Sequence, residues 1–332
     1  MLHTNIKRSW GVAVGILFIL FLMCASLVYG YTDTSWNDAY LAFFNQTGSN
    51  EHLIIRDVRF PRALIATFVG ACLGVSGAIM QSITRNPLSS PSILGVNAGA
   101  SFFVVAGVVF FSIQSSQSYM WLSFAGATFA FLLVFILSSA GREGLTPIKL
   151  TLAGAAITAL FSSFTQGLLV LNENALDQVL FWLAGSVANR PLSLLIATLP
   201  YILIALLLAF LRAKELNVLS IGDDVAVGLG QKTMWTKFFF GSCAVVLAGS
   251  SVAVAGPIGF VGVVIPHLVR SMVGLDHRWI LPYSAMGGAV LLLLADIGSR
   301  YILMPQELPV GVMTALIGVP FFIYVARRKM GI

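Results

Sequence analysis

The sequence predicts an all-α integral membrane protein of about ten transmembrane helices, and three observations carry that expectation: apolar composition, length and the placing of charge. Of 332 residues, 58% are hydrophobic and 10% charged, against about 25% charged in a soluble domain, and the mean hydropathy is +0.92. A span needs roughly 20 apolar residues, so the chain holds about ten spans and no large soluble domain. Residues 1–332 read as a single transmembrane domain.

The apolar runs place helices near residues 10–30, 61–83, 93–112, 120–140, 149–171, 192–212, 235–255, 258–273, 279–300 and 308–326. The first follows Lys7-Arg8 and resembles a signal peptide, but it is long enough to span and Cys24 lacks the small residue that precedes a lipoprotein cysteine. It reads as an uncleaved helix. Ten spans put both termini on one side, with fourteen Lys and Arg there and five opposite: Arg56, Arg59, Arg62, Arg190 and Arg300. Positive charge accumulates on cytoplasmic loops, so both termini are expected in the cytoplasm, and the five arginines stand out. Segments 31–60, 172–191 and 301–307 have room for short interfacial or re-entrant helices.

The net charge of +6 does not point to nucleic acid, because Lys and Arg fall singly or in pairs between apolar runs instead of forming a stripe with aromatics. Membrane lipid is the expected surrounding. Cys24, Cys72 and Cys243 lie in apolar runs without CxxC spacing and read as packed thiols, neither disulfides nor a zinc site. His267 follows Pro266, but His3, His52 and His277 form no cluster with it, so no metal and no cofactor is assigned.

Sliding the sequence by 179 positions matches seven of 26 residues across 70–95, including Gly77 with Gly256 and Pro87 with Pro266, where chance gives about two. The two copies lie five spans apart and hence in opposite orientation, so spans 2–5 and 7–10 are expected to form an inverted repeat. Spans 2, 3, 7 and 8 are rich in small residues, which let helix backbones approach closely in lipid.

Ion-coupled carriers place Asp, Glu or His near the bilayer midplane. Here ionisable residues stay near span ends, as Asp296, Arg300 and Arg270 do, so the energy comes from elsewhere or the protein is a passive pore. Residues 228–233, Gly-Leu-Gly-Gln-Lys-Thr, carry Gln where a phosphate loop needs Gly before Lys. The chain is therefore expected not to hydrolyse ATP itself. The longest terminal-side loop, 214–233, has apolar Leu216, Leu219, Val225 and Leu229, with Gly222 and Gly230 as helix stops. Two short amphipathic helices fit, suited either to a membrane surface or to a groove on a soluble partner.

Arg59-Phe60-Pro61-Arg62, the run Gly74 to Gln81, Arg85-Asn86-Pro87-Leu88, the run Gly256 to Gly262 with Ile265-Pro266-His267, Asp276-His277-Arg278, and Glu307 to Gly311 occur in that order. Together they resemble the FecCD-type permeases, the membrane subunits of type II ATP-binding cassette (ABC) importers for ferric siderophores, haem and vitamin B12. The resemblance runs over residues 55–328. It implies a pathway formed with a second permease subunit, identical or related, two cytoplasmic ATPase subunits, and an extracytoplasmic substrate-binding protein. Ferric siderophore is the expected cargo, with haem and vitamin B12 behind it and an ion-coupled secondary transporter further back. The resemblance also assigns Leu216, Leu219, Gly222, Ala226, Leu229 and Gly230 to ATPase coupling. It gives Asn86, Pro87 and Leu88 to the cytoplasmic gate, and Arg59, Arg62 and Arg300 to pairing with acidic groups of the binding protein. Pro87 breaks a helix, leaving Asn86 to cap freed backbone groups. Ser89-Ser90 replace a small residue and an acid common in the family, and Val263 a frequent Leu.

Overall fold

The computed structural model describes residues 5–30, 32–44, 49–141, 145–304 and 306–330. His3 and Arg142, and the side chains of Arg328 and Lys329, lie outside that description. Along the chain the apolar runs become α1 (Asn5–Val28), α2 (Trp36–Phe44), α3 (Asn50–Leu53), α4 (Phe60–Ile83), α5 (Val96–Phe111), α6 (Ser116–Ser139), α7 (Pro147–Leu171), α8 (Glu173–Leu183) and α9 (Leu192–Leu211). They continue as α10 (Ala213–Ile221), α11 (Asp223–Gly228), α12 (Thr233–Ala255), α13 (Val261–Val273), α14 (His277–Ile302) and α15 (Val310–Met330). Among the described residues, seven helices are long and apolar enough to cross a membrane, and three shorter apolar ones, in α5, α13 and α15, complete the ten expected.

Helix α13 has 13 residues, about 20 Å at 1.5 Å per residue, short of a hydrocarbon core of about 30 Å. The irregular stretch from Gly256 (φ +74°) to Phe260 (φ +67°) covers the rest. Such backbone is tolerated at membrane depth only where protein surrounds it. Here Ser186 donates its N–H to Ala255 O at 2.8 Å, and a Cβ on Gly256 would meet Trp182 O at 2.2 Å. Of the three segments expected to hold extra helices, 31–60 contains α2 and α3 and 172–191 contains α8. Segment 301–307 instead carries the end of α14 and a turn, with no helix of its own among its described residues.

Helices α4 and α12 lie at the centre, with 78% of their apolar windows buried, while α1 and α7 expose most of their surface. Glycine makes the central contacts possible: a Cβ on Gly70 would stand 2.3 Å from Gly288 O, and one on Gly77 2.1 Å from Gly262 O. Any side chain there would push α4 away from α14 or α13. Cys72 and Cys243 are buried, but Cys24 is exposed on the outer face of α1 and is not the packed thiol expected.

Helix contacts follow the plan of an inverted repeat. Helix α5 touches α6 and α7 as α13 touches α14 and α15, α4 meets α14 as α12 meets α6, and α4 and α12 meet each other. The residue matches at a shift of 179 do not follow this symmetry. Pro87 lies in the turn after α4 while Pro266 lies inside α13, and the paired helices α5 and α13 start only 165 positions apart, at Val96 and Val261. Those identities reflect the Gly and Pro content of the central helices.

Candidate functional site

At the end of the body that holds the N-terminus of α1, the 214–233 loop folds into the two short helices expected, α10 and α11. Gly222 joins them through extended backbone. Gly230 (φ +80°) closes α11: its N–H donates to Val227 O at 2.8 Å and that of Gln231 to Ala226 O at 2.9 Å. This is a Schellman turn, which needs a residue with positive φ at that position. Leu216, Leu219 and Ala226 are fully buried and fix the segment to the body. Ile221, Val225, Val227 and Leu229 form the exposed apolar face, with Leu229 67% exposed.

Two sets of polar contacts tie this segment to the end of α4. In the first, Asp223, at the start of α11, pairs with Arg85 Nη2 at 2.8 Å and with Lys237 Nζ of α12 at 2.9 Å. Lys237 also donates to Leu145 O at 2.9 Å. In the second, Asn217 Oδ1 on α10 accepts from the His277 backbone N–H at 2.7 Å and lies 2.8 Å from His277 Nδ1. Asn217 Nδ2 donates to Asp276 Oδ1 at 2.8 Å, and His277 Nε2 lies 2.5 Å from Ser82 Oγ on α4. Asn217 Oδ1 faces the backbone N–H and Nδ1 of His277, so the imidazole carries a proton on Nδ1, while the Ser82 hydroxyl lies between His277 Nε2 and Ala78 O, to which it donates at 2.8 Å. A continuous hydrogen-bonded chain therefore runs from α10 through α14 to α4.

Helix α4 stops at Ile83, before Pro87, and Met80 O accepts both the Thr84 N–H at 3.0 Å and the Thr84 hydroxyl at 2.7 Å. Asn86 caps the following turn: its Oδ1 accepts the Leu88 N–H at 3.0 Å, and its carbonyl accepts the Ser89 N–H. Arg85, with φ +49°, sits between helix and turn. Asn86, Pro87 and Leu88 thus lie next to the Asp223 ion pair. Further into α4, Gln81 donates to Gly262 O at 3.1 Å and accepts from Arg270, bridging α4 to α13.

At the opposite end Arg59, Arg62 and Arg300 come together, all buried. Arg59 donates to Leu27 O at 2.9 Å and Val28 O at 2.7 Å, and Arg300 to Ser26 O at 2.8 Å and Tyr29 O at 2.7 Å. A helix leaves its last carbonyls unsatisfied and negatively polarised, and here arginines from two other helices satisfy those of α1. Asp296 bridges Arg62 at 2.7 Å and Arg300 at 2.5 Å, and Arg62 also reaches Glu307 at 2.5 Å. In this structure the donors expected to face a binding protein are engaged within the chain. Arg56, also flagged by the charge count, is exposed.

Beside this cluster opens a cavity of about 870 Å³, bounded by the start of α6, by α8, by the loop before α9 and by the approach to α15. Sequence reasoning did not single out this cavity, nor Asn217, Asp223 and Ser82. Their partners lie far away in sequence, and only Arg190 gave a signal, as a cation on the unexpected side. Among the described residues no group of three or more His, Cys, Asp or Glu could hold a metal ion.

One of the two most buried helices, α4, is thus bonded at one end to an exposed amphipathic segment. The chain belongs to the FecCD transport family, whose model matches residues 17–328. It is 58% identical to Bacillus subtilis YfiZ, described as a probable siderophore transport system permease protein, over 99% of both chains. It is 43% identical to the Bacillus subtilis Fe(3+)-citrate import system permease protein YfmD, over 99% of this chain and 98% of that one. A solved structure described as an inward-facing metal-chelate type ABC transporter aligns with a TM-score of 0.82 at 29% identity, over 97% of this chain and 99% of that one. The chain is accordingly a permease subunit of an ABC importer, not an enzyme.

Proposed function

We propose that the chain is one of two permease subunits in an importer of ferric siderophores across a bacterial plasma membrane, with both termini in the cytoplasm. The bonding of α10 and α11 to the end of α4 carries this reading. A cytoplasmic ATPase docks on the exposed Ile221, Val225, Val227 and Leu229, an apolar face suited to a groove on a partner. Displacement of the segment then pulls Asp223 against Arg85, and Asn217 against His277 and Ser82, so the turn at Asn86, Pro87 and Leu88 moves with it. Leu216, Leu219 and Ala226 keep the segment attached, and Gly222 and Gly230 bound the part that moves. The opposite end faces the exterior, where a binding protein delivers the chelate. Arg59, Arg62 and Arg300 hold the shape of that face, and the names of the relatives support the choice of cargo.

The test is uptake of a radio-iron siderophore into proteoliposomes containing this chain, its second permease subunit, the ATPase and the binding protein. Accumulation should require ATP inside and resist a proton ionophore. Leu229→Asp should leave the fold intact and abolish ATPase binding. Flux without the ATPase would instead indicate a pore, and loss on adding the ionophore an ion-coupled carrier.

A further inference from the structure

Arg190 lies in the loop before α9 and is half-buried on the wall of the outer cavity. Its Nε donates to Ser186 O at 3.2 Å. Its two terminal nitrogens have no protein partner among the described residues, and no described carboxylate pairs with it. The one carboxylate in the lining, Glu307, is taken up by Arg62. Burial lowers the pKa of Arg190, but a guanidinium so far above neutrality stays charged. A half-buried charge without a partner is costly, so the site favours an anion.

The rest of the wall adds to that preference. Gln114, Gln178 and Asn189 supply amide donors and Tyr119 a phenol. The first turn of α6 opens onto the cavity through Ser116, and α15 begins directly after Pro309. Helix N-termini carry about half a positive charge each. A volume of about 870 Å³ falls within the range of roughly 300–1,000 Å³ typical of ligand pockets.

We propose that this cavity is an anion-selecting vestibule in which Arg190 pairs with negatively charged oxygens of an incoming metal chelate. The proposal rests on the permease reading and narrows its cargo to chelates of net negative charge whose metal-ligating oxygens remain accessible at the rim. Arg190 reads charge, and the amides and Tyr119 hold the remaining oxygens.

The assembled transporter, with its ATPase and without nucleotide, is placed in nanodiscs of phosphatidylcholine alone, so that no anionic lipid competes. Two probes are titrated by radio-iron retention, a triply anionic ferric tris-catecholate and a neutral ferric tris-hydroxamate. Wild type should prefer the anionic probe, and rising salt should weaken only that binding. Arg190→Gln should weaken the anionic probe roughly tenfold to a hundredfold, as expected for loss of a charge-assisted hydrogen bond, and leave the neutral one unchanged. Arg190→Lys should retain most of the affinity, which shows that a folding defect is not the cause. Wild-type affinity and salt dependence in Arg190→Gln would overturn the vestibule and leave the permease reading standing. Retention of neither probe by wild type would overturn the vestibule together with the cargo on which it rests.

Discussion

At the outer end Asp296 is fully buried between Arg62 and Arg300, whereas at the inner end Asp223 meets Arg85 and Lys237 with 31% of its side chain exposed. The same arrangement, one carboxylate between two cations, has different physics in the two places. In a dry, low-dielectric site no water can replace a lost partner, so removing one ion leaves the others stranded. Between Asp223 and Arg85, 31% and 33% exposed, water takes over a broken pair and the contact contributes little, and the buried Lys237 keeps Leu145 O as a second acceptor. The outer network therefore fixes α1, α4 and α14 as a frame. The inner one can open and re-form, as a coupling element must.

The largest effect should come from Asp296→Ala, which leaves the buried Arg300 without a carboxylate and the buried Arg62 with Glu307 alone. Breaking a buried pair costs about 3–5 kcal/mol, so the variant should unfold in detergent well below wild type, with reduced folded yield. Unaltered thermal stability would remove the distinction between the ends. Asp223→Asn should be milder in stability: the part-exposed Arg85 pair contributes about 1 kcal/mol, and the buried Lys237 keeps two acceptors, the new amide oxygen and Leu145 O. Its effect should appear in function, as ATP hydrolysis that moves several-fold less chelate. Normal transport per ATP would show that the inner ion pair does not transmit motion.

A smaller effect is expected from acid at the inner end. Asp276 caps α14, and although burial works against its charge, hydrogen bonds from Arg278 and Asn217 outweigh it and hold its pKa down at about 2 against the usual 3.8. A lowered folded-state pKa gives stability that is present above pH 3.8 and lost as pH falls toward 2. Thermal midpoints should therefore decline modestly over that interval, and Asp276→Asn should flatten the decline. An equal decline in that variant would assign the effect to other carboxylates.

The ten apolar helices were legible because lipid demands long apolar runs, and the short pair α10 and α11 was legible from Gly222 and Gly230. The site was legible in outline only. Arg59 and Arg300 were conspicuous as positive charge on the outer side, but their work of satisfying the carbonyls at the end of α1 depends on residues 31 and 271 positions away. The bonding of His277 was not legible, because Ser82 and Asn217 approach it only after folding. The repeat failed at residue level because the connections before α5 and α13 differ in length. A single shift therefore cannot align both halves, although their helices meet in corresponding pairs.

The contrast between a fixed outer frame and a movable inner linkage is tested most directly by hydrogen–deuterium exchange on the assembled transporter, compared with and without bound ATP. The account predicts that residues 213–230 and 84–90 change protection together, while 26–30, 59–62 and 296–302 stay equally protected in both states. Exchange that changes at the outer arginines, or that changes in 213–230 without any response in 84–90, would contradict it.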